Sequence, residues 1–352
     1  MSLDIPYKAP HTLEHIERTH QRFEIEPTHD KTLTFDLALP KSWAPSEQLG
    51  PVPDGMLQAR ALCLFSENFE PGTPLVAVTA TLIPFEIPLD AWLRASFERE
   101  GWQIVSGQWF PGPFGLFYDL TGVQTHADDK ELQLVRRTSI RADGARLLCV
   151  TSLCKREQWD EVKEDFWTAH VTFALREPSG SSQQEAWLRA ASSGVPFEVP
   201  FPASWGAEPD DASTDDNAAI HLRLADDEQD KLFAYLLVRA RRDAAFAAAP
   251  LSAWVEDALQ MLERSGFALA GELTPLEKED DPRSIVVDGW RGGFVGEGAL
   301  GEGEVNLRLG FVERGGTVFT FTLFAPKPTD DLIIALRAQR AFEIARGGLE
   351  AH

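Results

Sequence analysis

One nine-residue pattern occurs twice and limits what this chain can fold into. Phe35-Asp36-Leu37-Ala38-Leu39-Pro40-Lys41-Ser42-Trp43 returns 162 residues later as Phe197-Glu198-Val199-Pro200-Phe201-Pro202-Ala203-Ser204-Trp205. Each copy places apolar residues at alternate positions, the period of a half-buried strand. Proline then ends the run, because it has no N–H to give to a ladder. The closing Trp43 and Trp205 are expected to cap the core beside the strand end, where large rings contribute most to packing.

A second pair lies at the same offset. Pro88-Leu89-Asp90-Ala91-Trp92 matches Pro250-Leu251-Ser252-Ala253-Trp254. Both members of this pair read as helix starts, with Asp90 and Ser252 as N-caps. Gly101-Trp102 and Gly266-Phe267 then end the helices, since glycine accepts the left-handed conformation of a C-cap. Strand-like runs follow at Gln103-Ile104-Val105 and Ala268-Leu269-Ala270.

The repeat divides the 352 residues into a lead-in (1–30), a first unit (31–176), a linker with a short helix (177–194) and a second unit (195–352). The first unit reads as strands at Gln58–Phe65 and Leu75–Leu82, a helix at Leu89–Glu100, and strands at Leu132–Arg141 and Ala145–Leu153. Asp143-Gly144 between the last two is a strong hairpin signal. In the second unit, Glu313-Arg314-Gly315-Gly316 joins Val305–Val312 to Thr317–Phe324 in the same way. Helices at Gln158–Phe173 and Asp330–Ala345 close the units, with acids in their first turns where the helix dipole favours them. The lead-in carries one short helix around Pro10–His20, and a second is expected at Gln184–Ala191. The fold class is α+β: two tandem α/β/α sandwich units, each an antiparallel sheet with flanking helices.

Charge narrows the partners. A net charge of −22 argues against nucleic acid and anionic lipid, both polyanions. No apolar run reaches the length of a membrane span, and no secretory signal opens the sequence, so the expected setting is the cytoplasm. Cys63, Cys149 and Cys154 are an odd set with poor metal spacing and read as reduced thiols.

No catalytic constellation is legible. The serines lack a neighbouring histidine and a nucleophile elbow. Gly292-Gly293-Phe294-Val295-Gly296-Glu297-Gly298 lacks the Lys-Ser/Thr ending of a phosphate loop and reads as a hairpin tip. His11 and His15 share a helix face but do not form a zinc motif, and the acids of Gly206–Asn217 lack the spacing of a calcium loop. No metal and no cofactor is expected.

The stretch least matched between the copies is Gly107–Tyr118. It gathers Trp109, Phe110, Phe114, Phe117 and Tyr118 among prolines and glycines at a loop, whereas the corresponding region of the second copy, Glu272–Trp290, is mostly charged. An aromatic cluster that the duplication did not preserve points to an interaction surface, so these five residues are the expected partner-binding site. The competing reading is a local hairpin core.

The order of elements and the twice-repeated Phe-x-x-x-(Leu/Phe)-Pro-x-x-Trp strand resemble the Mog1/PsbP-like fold. DcrB-like proteins share that fold, as do the Eag chaperones that load effectors of type VI secretion. The resemblance covers about 300 residues as two copies. It implies a binding protein without catalysis: an adaptor or chaperone for an apolar or amphipathic segment of another protein, with an effector bound for secretion as one candidate. This chain differs in carrying both units in one polypeptide, which reads either as an imitation of the dimer or as an unrelated use of the fold. The alternative is an enzyme or small-ligand binder with a pocket between the units.

Overall fold

The computed structural model describes residues 3–7, 13–27, 30–46, 59–126, 130–181, 183–226, 229, 231–276, 287–300 and 303–351. The chain divides into two compact units. The first comprises Met1–Pro84 and Leu89–Gln184, the second Phe85–Pro88 and Glu185–His352.

The first unit contains α1 (Leu13–Thr19), β1 (His20–Ile25), β2 (Phe35–Pro40), β3 (Ala44–Ser46), β4 (Arg60–Ser66) and β5 (Leu75–Leu82). Then come α2 (Leu89–Arg99), β6 (Gln103–Gly112), β7 (Gly115–Thr125), β8 (Gln133–Asp143), β9 (Arg146–Lys155), α3 (Trp159–Thr172) and β10 (Ala174–Leu175). Its large sheet runs β3-β4-β5-β9-β8-β7-β6, and a small sheet runs β1-β2-β10. The paired strands are antiparallel throughout.

The second unit contains β11 (Trp187–Ala191), β12 (Phe197–Pro202), β13 (Gly206–Pro209), β14 (Asn217–Asp226), β15 (Lys231–Arg242) and α4 (Ala244–Ala247). It continues with α5 (Leu251–Arg264), β16 (Phe267–Leu269), β17 (Thr274–Pro275), β18 (Trp290–Leu300), β19 (Gly303–Arg314), β20 (Thr317–Ala325), α6 (Leu332–Gly347) and β21 (Glu350–Ala351). Its sheets run β13-β14-β15-β20-β19-β18-β16 and β11-β12-β21. The strand order of the first unit therefore recurs. Phe35 on β2 and Phe197 on β12 hold the same place, in the central strand of the small sheet.

Each small sheet packs with a closing helix against one face of its large sheet. Phe35, Leu37, Leu39, Phe65, Val78, Val150, Trp159 and Phe166 form that core in the first unit. Phe197, Val199, Leu236, Phe321 and Phe342 form it in the second. Trp43 and Trp205 are buried at the strand ends, and Trp43 meets Phe166 edge-on at 6.3 Å. In the second unit α5 covers the opposite face through Trp254, Ala258 and Leu262, which pack on Leu307, Leu309 and Phe311. Both units are therefore α+β, built of antiparallel sheets with helices on their faces.

Several local expectations change. Asp90 and Ser252 lie inside the first turns of α2 and α5, and Pro250 occupies the N-cap of α5 without a side-chain bond. Gln184–Ala191 forms no helix: the pairing of Leu188 with Phe201 and of Ala190 with Val199 makes 187–191 a strand. The lead-in belongs to the first unit, where β1 pairs along the whole of β2 and Leu3 and Ile5 reach its core.

The glycine-rich stretch is strand β18 rather than a hairpin tip. Its neighbours fold over it so closely that side chains are excluded. A Cβ on Gly298 would stand 2.3 Å from Phe267 Cζ and 2.5 Å from the Ala268 carbonyl oxygen, and one on Gly293 2.8 Å from the Leu309 carbonyl oxygen. Gly107–Tyr118 is likewise not a loop but the paired end of β6 and β7, turning at Pro113-Phe114.

Candidate functional site

The aromatic hairpin separates its residues onto two faces. Trp109 pairs with Tyr118 and Phe110 with Phe117 across the ladder. Alternation sends the first pair toward one face of the sheet and the second toward the face beneath α3. Phe117 and Tyr118 are buried, at 0% and 2% exposure, so neither ring offers itself to a partner. Their burial is the physical reason to remove them from an exposed binding surface; Trp109, Phe110 and Phe114 remain half-buried. Phe114 lies 6.0 Å from Phe173, with the Arg141 guanidinium 5.3 Å above it. The Trp109 ring rests on Tyr118 at 5.3 Å.

Phe110 has a neighbour that the cluster itself does not contain. Tyr7 stacks on it at 5.5 Å and 24°, and Trp167 of α3 meets Phe110 at 4.9 Å and Tyr7 edge-on at 6.3 Å. Tyr7 belongs to the described stretch Leu3–Tyr7, which lies on the first unit and is held at several points. Trp159 Nε1 donates to the Asp4 carbonyl (2.9 Å), and Arg137 Nη2 donates to the Pro6 carbonyl (3.0 Å). Lys163 Nζ donates to the Asp4 carboxylate at 2.7 Å. Leu3 and Ile5 pack on the core, and the Tyr7 hydroxyl bonds Ser106 Oγ on β6. Burial pushes the Tyr7 phenol up to about 12, with Asp119 adding to the effect, so it stays protonated at neutral pH.

The segment is thus read in a period of two. Side chains at 3, 5 and 7 meet the protein, and the carbonyls of 4 and 6 both accept hydrogen bonds. An open cleft of about 680 Å³ adjoins it at Leu3, lined also by Gln103, Val105, Val123, Leu132 and Asp160.

A polar core lies under the seat. Arg137 Nε donates to both carboxylate oxygens of Asp119, at 3.0 and 3.1 Å, and both side chains are buried. Burial alone would raise the Asp119 carboxyl, but the Arg137 guanidinium and then His170 outweigh it and hold it below its ordinary value. His170 Nδ1 lies 3.5 Å from Asp119, and Ser152 Oγ lies 2.8 Å from His170 Nε2. Burial drives His170 down to about 4 despite Asp119, so its imidazole is neutral. Arg141 donates to the His170 and Phe173 carbonyls, closing the C-terminal end of α3.

Ser152, His170 and Asp119 stand in the order of a hydrolytic triad, a constellation invisible in a sequence that spreads them over three elements. All three are 0–1% exposed, and the carboxylate is taken by Arg137. No substrate atom can approach Ser152 within such a core, so the arrangement is structural. Counting back from the matching hairpin turns, Asp143–Arg146 and Arg314–Thr317, places Gly310, Val312 and Leu323 where the first unit has Ser139, Arg141 and Ser152. By the same count Arg137 corresponds to Arg308, which donates to Gln339 at 2.9 Å, so the arginine recurs while the Ser139, Arg141 and Ser152 positions turn apolar or glycine.

His15 lies on α1 and His20 opens β1, where its Nε2 is 3.1 Å from Asp165; His11 lies outside the described residues. No group of three metal-ligating side chains occurs among the described residues, and none of their helices is long and apolar enough to cross a membrane. Cys63 and Cys154 are buried and Cys149 half-buried, with no disulfide.

No protein-family model matches this chain, and no curated protein does. Among solved structures it is similar to cyanobacterial PsbP from Synechocystis sp. PCC 6803. That likeness has 15% identity and a TM-score of 0.33, and covers 45% of this chain and 92% of the other.

Proposed function

We propose that this protein is a non-catalytic adaptor or chaperone that holds an apolar segment of another protein on its first unit. The observation that carries the reading is the grip on Leu3–Tyr7. Side chains from β6, β8 and α3 already hold an extended peptide by two carbonyls, alternate apolar side chains and one carboxylate. That is the chemistry of peptide recognition: main-chain bonds supply affinity and alternate pockets supply selectivity. The ten-residue strand β6 ends its sheet and carries half-buried Trp109 and Phe110, whereas the corresponding edge of the second unit is split between β16 and β17, of three and two residues. This asymmetry supports capture on the first unit, with Phe114 at the turn.

The motif likeness to Eag chaperones makes a type VI effector in a bacterial cytoplasm the first partner to try, with the two units serving as a built-in pair. Replacing Trp109 and Phe114 together with Ala tests the reading. Each anchor is expected to contribute on the order of 2 kcal/mol to partner binding. Loss of capture with a retained melting temperature supports the proposal. A large drop in melting temperature with capture retained makes the cluster structural and ends it.

A further inference from the structure

The seat of Leu3–Tyr7 has unused capacity. Arg137 and Trp167 flank Tyr7, with the guanidinium 4.3 Å from the Trp167 ring centre and 5.6 Å from that of Tyr7. Arg137 Nη1 and Trp167 Nε1 are buried donors without a hydrogen-bond partner among the described residues, on side chains 0% and 3% exposed. An unmet buried donor is costly, and a ligand that supplies its acceptor gains what the present occupant does not. Leu3 also lines the open cleft of about 680 Å³. The occupant therefore leaves two donors unanswered beside an open cleft.

We propose that Leu3–Tyr7 is a displaceable strap on a peptide-binding seat, and that the partner is an extended segment of another protein with apolar side chains at alternate positions. This deepens the reading under Proposed function and rests on it. The partner matches the strap at the two carbonyl positions and the three apolar ones. It adds acceptors for Arg137 Nη1 and Trp167 Nε1 and extends into the cleft past Leu3. A second copy's strap is the weaker candidate, because it makes only the contacts the resident strap makes and competes against a tethered rival. Tethering holds the resident at an effective concentration on the order of 1 mM. A free peptide of equal contacts, with an intrinsic Kd of about 0.1 mM, is then weakened about 10-fold while the strap is attached.

The test introduces a protease site between Tyr7 and Leu13 in the full chain, which is folded first and then cut. The probe is a fluorescein-labelled synthetic peptide with the sequence of residues 2–8, followed by anisotropy. The cut chain is expected to take up the probe at least 10-fold more tightly than the uncut chain. A probe with Asp in place of the residues matching Leu3 and Ile5 is expected not to bind. Uptake by the cut chain that this second probe equals overturns the proposed selectivity. Equal uptake by cut and uncut chains means the strap gates nothing, and overturns the proposal while leaving peptide binding intact. A cut strap that stays in place through gel filtration, or a cut chain that loses its fold, makes the segment a fixed part of the core and overturns it. A dimer of the uncut chain in light scattering assigns the seat to a second copy and also overturns it. The Trp109/Phe114 variant is independent of all these outcomes, so failure of the strap and failure of the adaptor reading are distinguishable.

Discussion

The neutral imidazole of His170 ties the stability of the first unit to pH. Burial lowers His170 from 6.5 to about 4. The groups facing it are Asp119, Arg137, Arg141 and Ser152, from strands β7, β8 and β9. The unfolded chain binds a proton here below pH 6.5, while the folded unit resists until about pH 4. Stability therefore rises with pH across that window. The contribution is fully present above 6.5 and lost as pH falls toward 4. At about 1.4 kcal/mol per pKa unit, the loss is about 3 kcal/mol. Asp119 works in the same direction at lower pH, since its carboxyl is held below the ordinary value. The assay is urea unfolding between pH 8 and 4 in wild type and His170→Gln, read by hydrogen exchange of the 133–155 peptides so that the first unit is followed alone. The variant is expected to start less stable but to lose about 3 kcal/mol less than wild type on acidification. Parallel loss in the two proteins refutes the reasoning, as does a folded-state His170 titration midpoint above 6.5 by NMR.

Breaking the buried ion pair with Asp119→Asn is expected to cost about 3–5 kcal/mol, because Arg137 keeps a buried charge without its counter-ion. Adding Arg137→Met should recover much of that, so a double-mutant cycle by chemical denaturation reads strong coupling; additive costs would contradict it. Gly298→Ala forces a methyl against Phe267 and the Ala268 carbonyl and is expected to cost about 1–3 kcal/mol in unfolding experiments, with no effect on strap exchange.

Much of the fold was legible because the duplication repeats its most informative signals. The Phe35 and Phe197 strands, the glycine C-caps at Gly101 and Gly266, and the hairpins at Gly144 and Gly315-Gly316 depend on local stereochemistry that sequence displays directly. What was not legible depends on partners remote in sequence. Trp187–Ala191 has helix-favouring residues, and pairing with β12 overrides them. Strand β18 hides behind glycines because the rings of Phe267 on β16 and Trp290 at its own start occupy the space side chains would fill, as a Cβ on Gly298 or on Gly293 would meet them. The strap carried a usable signal, Leu3, Ile5 and Tyr7 at alternate positions, but its length and Pro6 disguised it as a tail. The Ser152, His170 and Asp119 group had none, since chain folding alone brings the three together. In the aromatic hairpin, composition drew attention to the right stretch but did not separate buried Phe117 and Tyr118 from half-buried Trp109, Phe110 and Phe114, which is a matter of register.

The small sheets have a consequence for how such a chain arises. In the first unit β1 and β10 lie on either side of β2, and in the second β11 and β21 flank β12. The first and last strands of each unit therefore lie beside the same central strand. A module with neighbouring ends can be copied head to tail without rerouting any strand inside it, since the exit of one copy already lies beside its own entrance. The same geometry makes the second unit suited to circular permutation: joining Ala351 to Trp187 through a short bridge and opening the Arg314–Thr317 turn would leave every strand neighbour unchanged. A head-to-tail repeat of such a module needs only a connector, and the two copies here differ in their edge strands and in the Arg141 and Ser152 positions while the strand order stays the same.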